Sequence, residues 1–328
     1  MSEWNENKLD QELEAIMNDI QESDDLEKRV NKCIDRRIKK TVVRTVGSIL
    51  VIVVIAIFII NPVMNMAFFN PYKMNDGEEQ KMLGVMRDYV ETVFPYREVS
   101  SLDVEKRGFG RYEISMQWLD LSQSSVQIGE PNVWVEMNWG TYESVKDADS
   151  AMTINVGRFN CTYEDQKKMI NQIEELPKSA RLYLSISDAQ PKSIEQLRSL
   201  PVTLLWMQVY QPKVEFQGGL SYQPISLYSN DDDREKMSEQ ELLEVYCGNL
   251  KNMIDYPEVW KGIGVFNSGD GKIYVEPETV LKETYEDAMK LTELKSKNYC
   301  VVGNRDEILE FLRENTCDSI SVENVTLW

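Results

Sequence analysis

Three parts of the sequence hold residue types that do chemistry: the acidic run "SNDDDREKMSEQE" (229–241), the turn "GDGK" (269–272), and the cysteines Cys33, Cys161, Cys247, Cys300 and Cys317. Asp231, Asp232 and Asp233 offer hard oxygen ligands. The run nevertheless lacks the glycine and terminal glutamate of an EF-hand loop, and it reads as a solvated acidic loop. "GDGK" has no helix directly behind it to aim N–H groups at a phosphate, so it reads as a hairpin connection. The cysteines form no C-x-x-C, which argues against a metal site. There is no histidine at all, so imidazole is missing as a base, as a partner to a nucleophile and as a metal ligand. No G-x-S-x-G, G-x-x-x-x-G-K-[ST] or G-x-G-x-x-G occurs. With 55 acidic side chains the sequence nominates no carboxylate pair of the glycosidase kind. We therefore expect neither a cofactor nor an enzyme, and look for function in binding.

The elements that position a binding surface are laid out around one apolar run. No charged residue appears from Thr45 through Tyr72, a window long enough to cross a hydrocarbon core of about 30 Å at about 1.5 Å per residue. Ile49 to Ile60 holds eleven Ile, Leu, Val or Phe side chains, whose insertion into lipid is worth roughly -5 kcal/mol. The run is too long for a buried strand, which usually stops near five or six residues. It lies too far from the N-terminus, with no small-residue cleavage site behind it, for a signal peptide. It is expected to continue through Pro62 toward Phe69 with a kink at the proline, leaving Asn65, Asn70, Pro71 and Tyr72 at the interface.

Eight cations stand just before the run: Lys28, Arg29, Lys32, Arg36, Arg37, Lys39, Lys40 and Arg44, against the single acid Asp35. After it, Lys73 is followed by Asp76, Glu78 and Glu79. The positive-inside rule then puts the N-terminus in the cytoplasm and the rest outside, with Arg36, Arg37, Lys39, Lys40 and Arg44 orienting the span and resting on anionic headgroups of the bilayer. On that topology Cys33 is inside and reduced, and four cysteines are outside. An even number permits three pairings. Cys300 with Cys317, across the last helix, and Cys161 with Cys247 make up one of them, and buried thiols are the alternative.

The inner piece is small and strongly acidic. Residues 1–27 carry ten acids against Lys8 alone, within a chain of formal net charge -19. Leu9, Leu13, Ile16 and Ile20, spaced four, three and four, mark one face of a helix rimmed by Glu12, Glu14 and Asp19. A second stripe, Val30, Ile34 and Ile38, follows Ser23, Asp24 and Asp25, which have the composition of an N-cap and first turn and predict a new helix there. An amphipathic helix with no domain behind it needs a groove to lie in. Its charge repels nucleic acid and favours a basic protein surface. A solvating acidic tail is the simpler alternative.

The outer piece, 71–328, predicts a mixed fold. "RYEISMQWLDLS" (111–122) and "NVWVEMNWG" (132–140) read as paired strands around "QIGEPN". A helix is expected over 163–177, with Met169, Ile170, Ile173 and Leu176 inward. Strand, helix and strand follow through "ARLYLSIS", "PKSIEQLRSLP" and "VTLLWMQVYQP", with Pro191 at the helix start. Two further helices, "MSEQELLEVYCGNLKNMIDYP" and "PETVLKETYEDAMKLTELKSKN", come next, Ser238 and Glu241 making a capping box. A second β-α-β unit closes the chain, its helix capped by Asn304 with Glu307 three residues on. The fold class is thus α+β: a short cytoplasmic helical arm and collar (1–44), one transmembrane helix (45–70), and an extracytoplasmic mixed domain with βαβ units (71–328), with room for two subdomains divided near 150–160.

This layout, with "ARLYLSISDAQPKSIEQLRSLPVTLLWMQVYQ" (180–211) and the ending "CDSISVENVTLW", resembles the sigma-factor regulator family of Gram-positive bacteria, membrane anti-sigma factors that control extracytoplasmic-function sigma factors such as sigma M. The resemblance implies that the arm sequesters an extracytoplasmic-function sigma factor, that the outer domain senses the envelope, and that another membrane protein can be a partner. The zinc-binding class of anti-sigma factor is excluded by the missing histidine. An envelope receptor or scaffold, its outer domain binding a cell-wall ligand or protein while the arm is inert, is the competing expectation.

Overall fold

The computed structural model describes residues 3–76, 80–95, 97–120, 131–147, 163–223, 234–261 and 277–327. It divides into two compact units, Met1–Met64 and Asn65–Trp328. The interval near 150–160, where a subdomain boundary is expected, and the stretches 231–233 and 269–272 lie outside the described residues, as does Cys161.

The first unit is helical. One helix, α1 (Glu3–Ile55), runs through a π-helical turn (Ala56–Ile60) into α2 (Asn61–Ala67). The predicted break at Ser23 does not occur, and this corrects the reading of two helices. A serine followed by aspartates caps a helix only where the chain enters from an extended conformation, and within a continuing helix they are tolerated at a few tenths of a kcal/mol each. The consequence is one of register. Ile34 and Ile38 follow Ile16 and Ile20 by 18 residues, five turns of about 3.6, so both stripes occupy one helix face.

The second unit is α+β, with two sheets. It opens with the end of α2, from Asn65, followed by short α3 (Pro71–Asn75), capped by Asn70, whose side chain accepts from the Lys73 N–H, and then α4 (Lys81–Val93). Met82, Leu83, Val85, Met86, Tyr89 and Val90 give α4 a wide buried stripe at helical spacing. A four-stranded antiparallel meander follows: β1 (Arg97–Gly108), β2 (Arg111–Asp120), β3 (Val133–Asn138) and β4 (Thr141–Asp147). β2 and β3 pair as expected, Ile114 opposite Val135.

Helix α5 (Tyr163–Glu174) leads to the second sheet, made of β5 (Arg181–Ser193), β6 (Thr203–Gln208), β7 (Gly219–Ser221), β8 (Lys295–Asn304) and β9 (Cys317–Thr326) in the order β7-β6-β8-β5-β9. Its helices are α6 (Ile194–Arg198), α7 (Glu239–Asp255), α8 (Pro257–Trp260), α9 (Pro277–Ala288) and α10 (Arg305–Glu314). Both expected βαβ units are present, β5-α6-β6 and β8-α10-β9, but each is split. β8 lies between β5 and β6, β5 lies between β8 and β9, and every pairing is antiparallel. Two interleaved split units give an α+β sheet of the βαββαβ kind. Pro191 sits inside β5 and not at a helix start. The β5–β8 register shifts between Ser187 and Lys192, a bulge that accommodates a residue without an N–H, and Ser193 caps α6 with Gln196 in a capping box.

The two sheets share one apolar core, and α4 packs on β1 of the first, on β7 of the second and on α7. Tyr89 stacks on Trp260 at 5.6 Å and meets Phe94 edge-on at 5.5 Å. Gly219 is required where β7 passes under Trp206, because a Cβ there would lie 2.0 Å from the indole.

Candidate functional site: the membrane-length helix and the elements beyond it

Residues Asn31–Ala67 form a helix with mean hydropathy 2.8 over its most apolar window, long and apolar enough to cross a membrane. It is the one such helix among the described residues. Ile34, Ile38, Val42 and the run from Ile49 to Ile60 are exposed to the surroundings. The disturbance expected at Pro62 takes the form of the π-helical turn. Pro62 lacks an N–H and its ring crowds the carbonyl four residues back, at Phe58, and the turn shifts the bonding so that the Asn61 N–H donates to the Ala56 carbonyl. Widened turns of this kind keep backbone groups paired where lipid supplies no partner.

The residues expected to orient the span, Arg36, Arg37, Lys39, Lys40 and Arg44, are all exposed on α1. Leu9, Leu13, Ile16 and Ile20 belong to the same helix, and their side chains lie outside the described residues. The Cys300–Cys317 pairing is corrected. Cys300 is paired in register with Ser185 and Cys317 with Asp188, so β5 runs between them. Two strand spacings of about 4.8 Å exceed the reach of a disulfide, whose Cα atoms stand within about 7 Å. Both are buried thiols, and the Cys300 Sγ lies 3.7 Å from the Ser185 Oγ. Cys247, half-buried on α7, is also a thiol, and burial raises its pKa above the ordinary value.

Asn65, the first residue of the second unit, is bonded to the first sheet. Its side-chain oxygen accepts from the Gly110 N–H at 3.1 Å and from the Tyr112 hydroxyl at 3.2 Å. Gly110 closes the β1–β2 turn, where Gly108, Phe109 and Gly110 all have positive φ (79, 55 and 70°). The β3–β4 turn, Trp139-Gly140, also has both φ values positive (50 and 75°), as a two-residue hairpin demands. The two tips are joined: the Trp139 N–H donates to the Gly110 carbonyl at 2.9 Å and its indole N–H to the Phe109 carbonyl at 3.0 Å. Gly140 packs closely on Phe68 and Phe69. Lys106 places its ammonium 3.3 Å from the centre of the Tyr72 ring.

Beyond this platform, α4 links the two sheets through polar side chains. Arg87 donates to the Val99 and Ser100 carbonyls of β1, both at 2.9 Å. Glu91 pairs with buried Arg234 and accepts from the Ser221 N–H at 2.9 Å and from the Asn249 amide at 3.3 Å, while its backbone carbonyl accepts from the Trp206 indole at 2.9 Å. One turn earlier, Asp88 accepts from Asn252 of α7 at 2.7 Å. Burial pushes the Asp88 carboxyl up to about 6, outweighing the Asn252 bond. A separate buried pair, Asp188 with Lys192, spans the β5 bulge, and Lys192 also donates to the Tyr299 hydroxyl at 3.2 Å. Burial and the Asp188 charge hold Tyr299 neutral. These groups join secondary-structure elements to one another, and among the described residues no cluster of three or more His, Cys, Asp or Glu is placed to hold a metal.

Sequence reading missed β1, α4, the two aromatic hairpin tips and the Asp88–Glu91–Arg234 group. Signals existed for three of these: the apolar stripe of α4, and the turn glycines in "GFG" (108–110) and "NWG" (138–140). Arg234 was not legible, because its partner is 143 residues away. Comparison with family models, with curated proteins and with solved structures finds no match for the chain.

Proposed function

We infer that this chain is a single-pass membrane anti-sigma factor whose acidic cytoplasmic arm binds and sequesters an extracytoplasmic-function sigma factor, and whose outer domain governs its release. The observation that carries the reading is the uninterrupted helix α1. It holds the stripe Leu9, Leu13, Ile16 and Ile20 in fixed register with a basic collar and an apolar span. A ten-acid arm of this kind suits a basic, groove-bearing protein, and sigma factors bind the acidic backbone of DNA with such surfaces. The resemblance of residues 180–211 and of the last strand to sigma-factor regulators supports the same partner class. The cations from Lys28 to Arg44 set the arm in the cytoplasm. Residues from Asn65 onward then face outward, where α4, the first full helix after the span, contacts both sheets. Replacing Leu13 and Ile16 together by Asp in the full chain releases the sigma factor and raises transcription of its regulon, read by RNA sequencing. Unchanged transcription, with the variant present in the membrane at wild-type level, rejects the role of the stripe.

A further inference from the structure

Within the second unit, the two hairpin tips that meet Asn65, Phe68 and Phe69 are built from residues ill-suited to water. Trp139 is 55% exposed, Phe109 37% and Phe68 39%. Phe109 and Trp139 each occupy the left-handed backbone region, which bulky residues avoid, at positions where glycine or asparagine would be unstrained. Both turns are fixed: the Trp139 indole N–H to the Phe109 carbonyl, the Trp139 backbone N–H to the Gly110 carbonyl, and the Gly110 N–H to the Asn65 side chain. Asn65 and Phe68 belong to the same unit as the tips and follow the apolar run directly in the chain.

We propose that Phe68, Phe109 and Trp139 form an aromatic foot by which the outer domain rests in the outer-leaflet interface of the bilayer. Trp and Tyr concentrate at the headgroup level because a large apolar ring carries a polar edge there. The local chemistry suits that depth. Tyr72 and Lys106 are stacked, and Lys73 and Arg111, on the same segments, are exposed cations available to lipid phosphates. Pro62 lies within one turn of Asn65, where the chain leaves the apolar run. The foot fixes the tilt of the first sheet against the membrane. Lipid packing then bears on β1, and through the Arg87 bonds to the Val99 and Ser100 carbonyls it reaches α4. The proposal rests on the apolar helix spanning a bilayer, and not on what the arm binds.

The full chain reconstituted into phosphatidylcholine vesicles with brominated acyl chains gives the test, since bromine quenches tryptophan only at bilayer depth. Of the seven tryptophans, Trp118, Trp206 and Trp260 are buried and Trp134 is half-buried, and the difference between the wild type and a Trp139→Phe variant isolates the contribution of the tip. The expected result is that the bromolipid-quenched fraction of emission falls by at least half in Trp139→Phe, at unchanged circular dichroism. Equal quenching of both proteins overturns the proposal. Trp139 shielded from aqueous acrylamide but not quenched by bromolipid also overturns it, and assigns the tip to a protein contact or a second copy. Flotation of the same samples separates the causes: protein that does not float with the vesicles refutes the span itself, whereas protein that floats without Trp139 quenching refutes the foot alone.

Discussion

Replacing Asp88 by Asn is expected to make the second unit more stable at neutral pH and to remove much of its pH dependence. Asp88 faces α7, near Asn252 and the Glu91–Arg234 pair, with Lys81 two turns back on its own helix, and its carboxyl is pushed up to about 6 from an ordinary 3.8. Ionising it inside the fold therefore costs roughly 3 kcal/mol more than in the unfolded chain, at about 1.4 kcal/mol per pH unit. The folded value lies above the unfolded one. The stabilisation from the protonated carboxyl is thus complete below about pH 4 and is lost as pH rises through about 6. An asparagine mimics the protonated form and keeps an oxygen for the Asn252 amide. At pH 7.5 Asp88→Asn should gain up to about 3 kcal/mol, or several degrees in Tm for a unit of this size, and at pH 4 the two proteins should coincide. Urea unfolding of the full chain in detergent, followed by tryptophan emission from pH 4 to 8, measures both. A variant that is less stable at pH 7.5, or that keeps the wild-type slope between pH 4 and 7, refutes the assignment of burial as the dominant cause.

Glu91→Ala leaves the buried Arg234 guanidinium without its carboxylate and should cost about 3 to 5 kcal/mol in the same urea assay, against about 1 kcal/mol or less for Glu174→Ala, which breaks the exposed pair with Arg313. Ser238→Ala removes half of the α7 capping box and should cost about 1 kcal/mol, with Asn304→Ala similar at α10. Alkylation of the unreduced, urea-unfolded protein followed by peptide mass mapping should find Cys300 and Cys317 separately modified, and a peptide linked through the two would contradict the strand order.

The parts of this fold that were legible in the sequence are those fixed by neighbours in the chain. Ser238 with Glu241 and Asn304 with Glu307 read as capping boxes and form them, because a cap needs only residues three apart. The apolar run from Thr45 is legible because hydrophobicity summed over a span needs no partner. Ser23-Asp24-Asp25 misled for the same reason: the local signal was present, but whether a helix starts there depends on the segment before it. Strand order was not legible, since β8 enters between β5 and β6 from about a hundred residues downstream, and that insertion is what separates Cys300 from Cys317. The hairpin tips were half visible. Their glycines were in plain view, but that Phe109 and Trp139 sit side by side follows only from the pairing of β2 with β3, Arg111 opposite Asn138.

The central claim, that the arm holds a sigma factor, is tested most directly by capture from native membranes. The full chain, solubilised in mild detergent with a C-terminal tag, is purified alongside its Leu13→Asp, Ile16→Asp variant, and the bound proteins are identified by mass spectrometry. The account predicts an alternative sigma factor with the wild-type chain and its loss with the variant. A sigma factor retained equally by both, or absent from both while the chain itself is recovered intact, contradicts it.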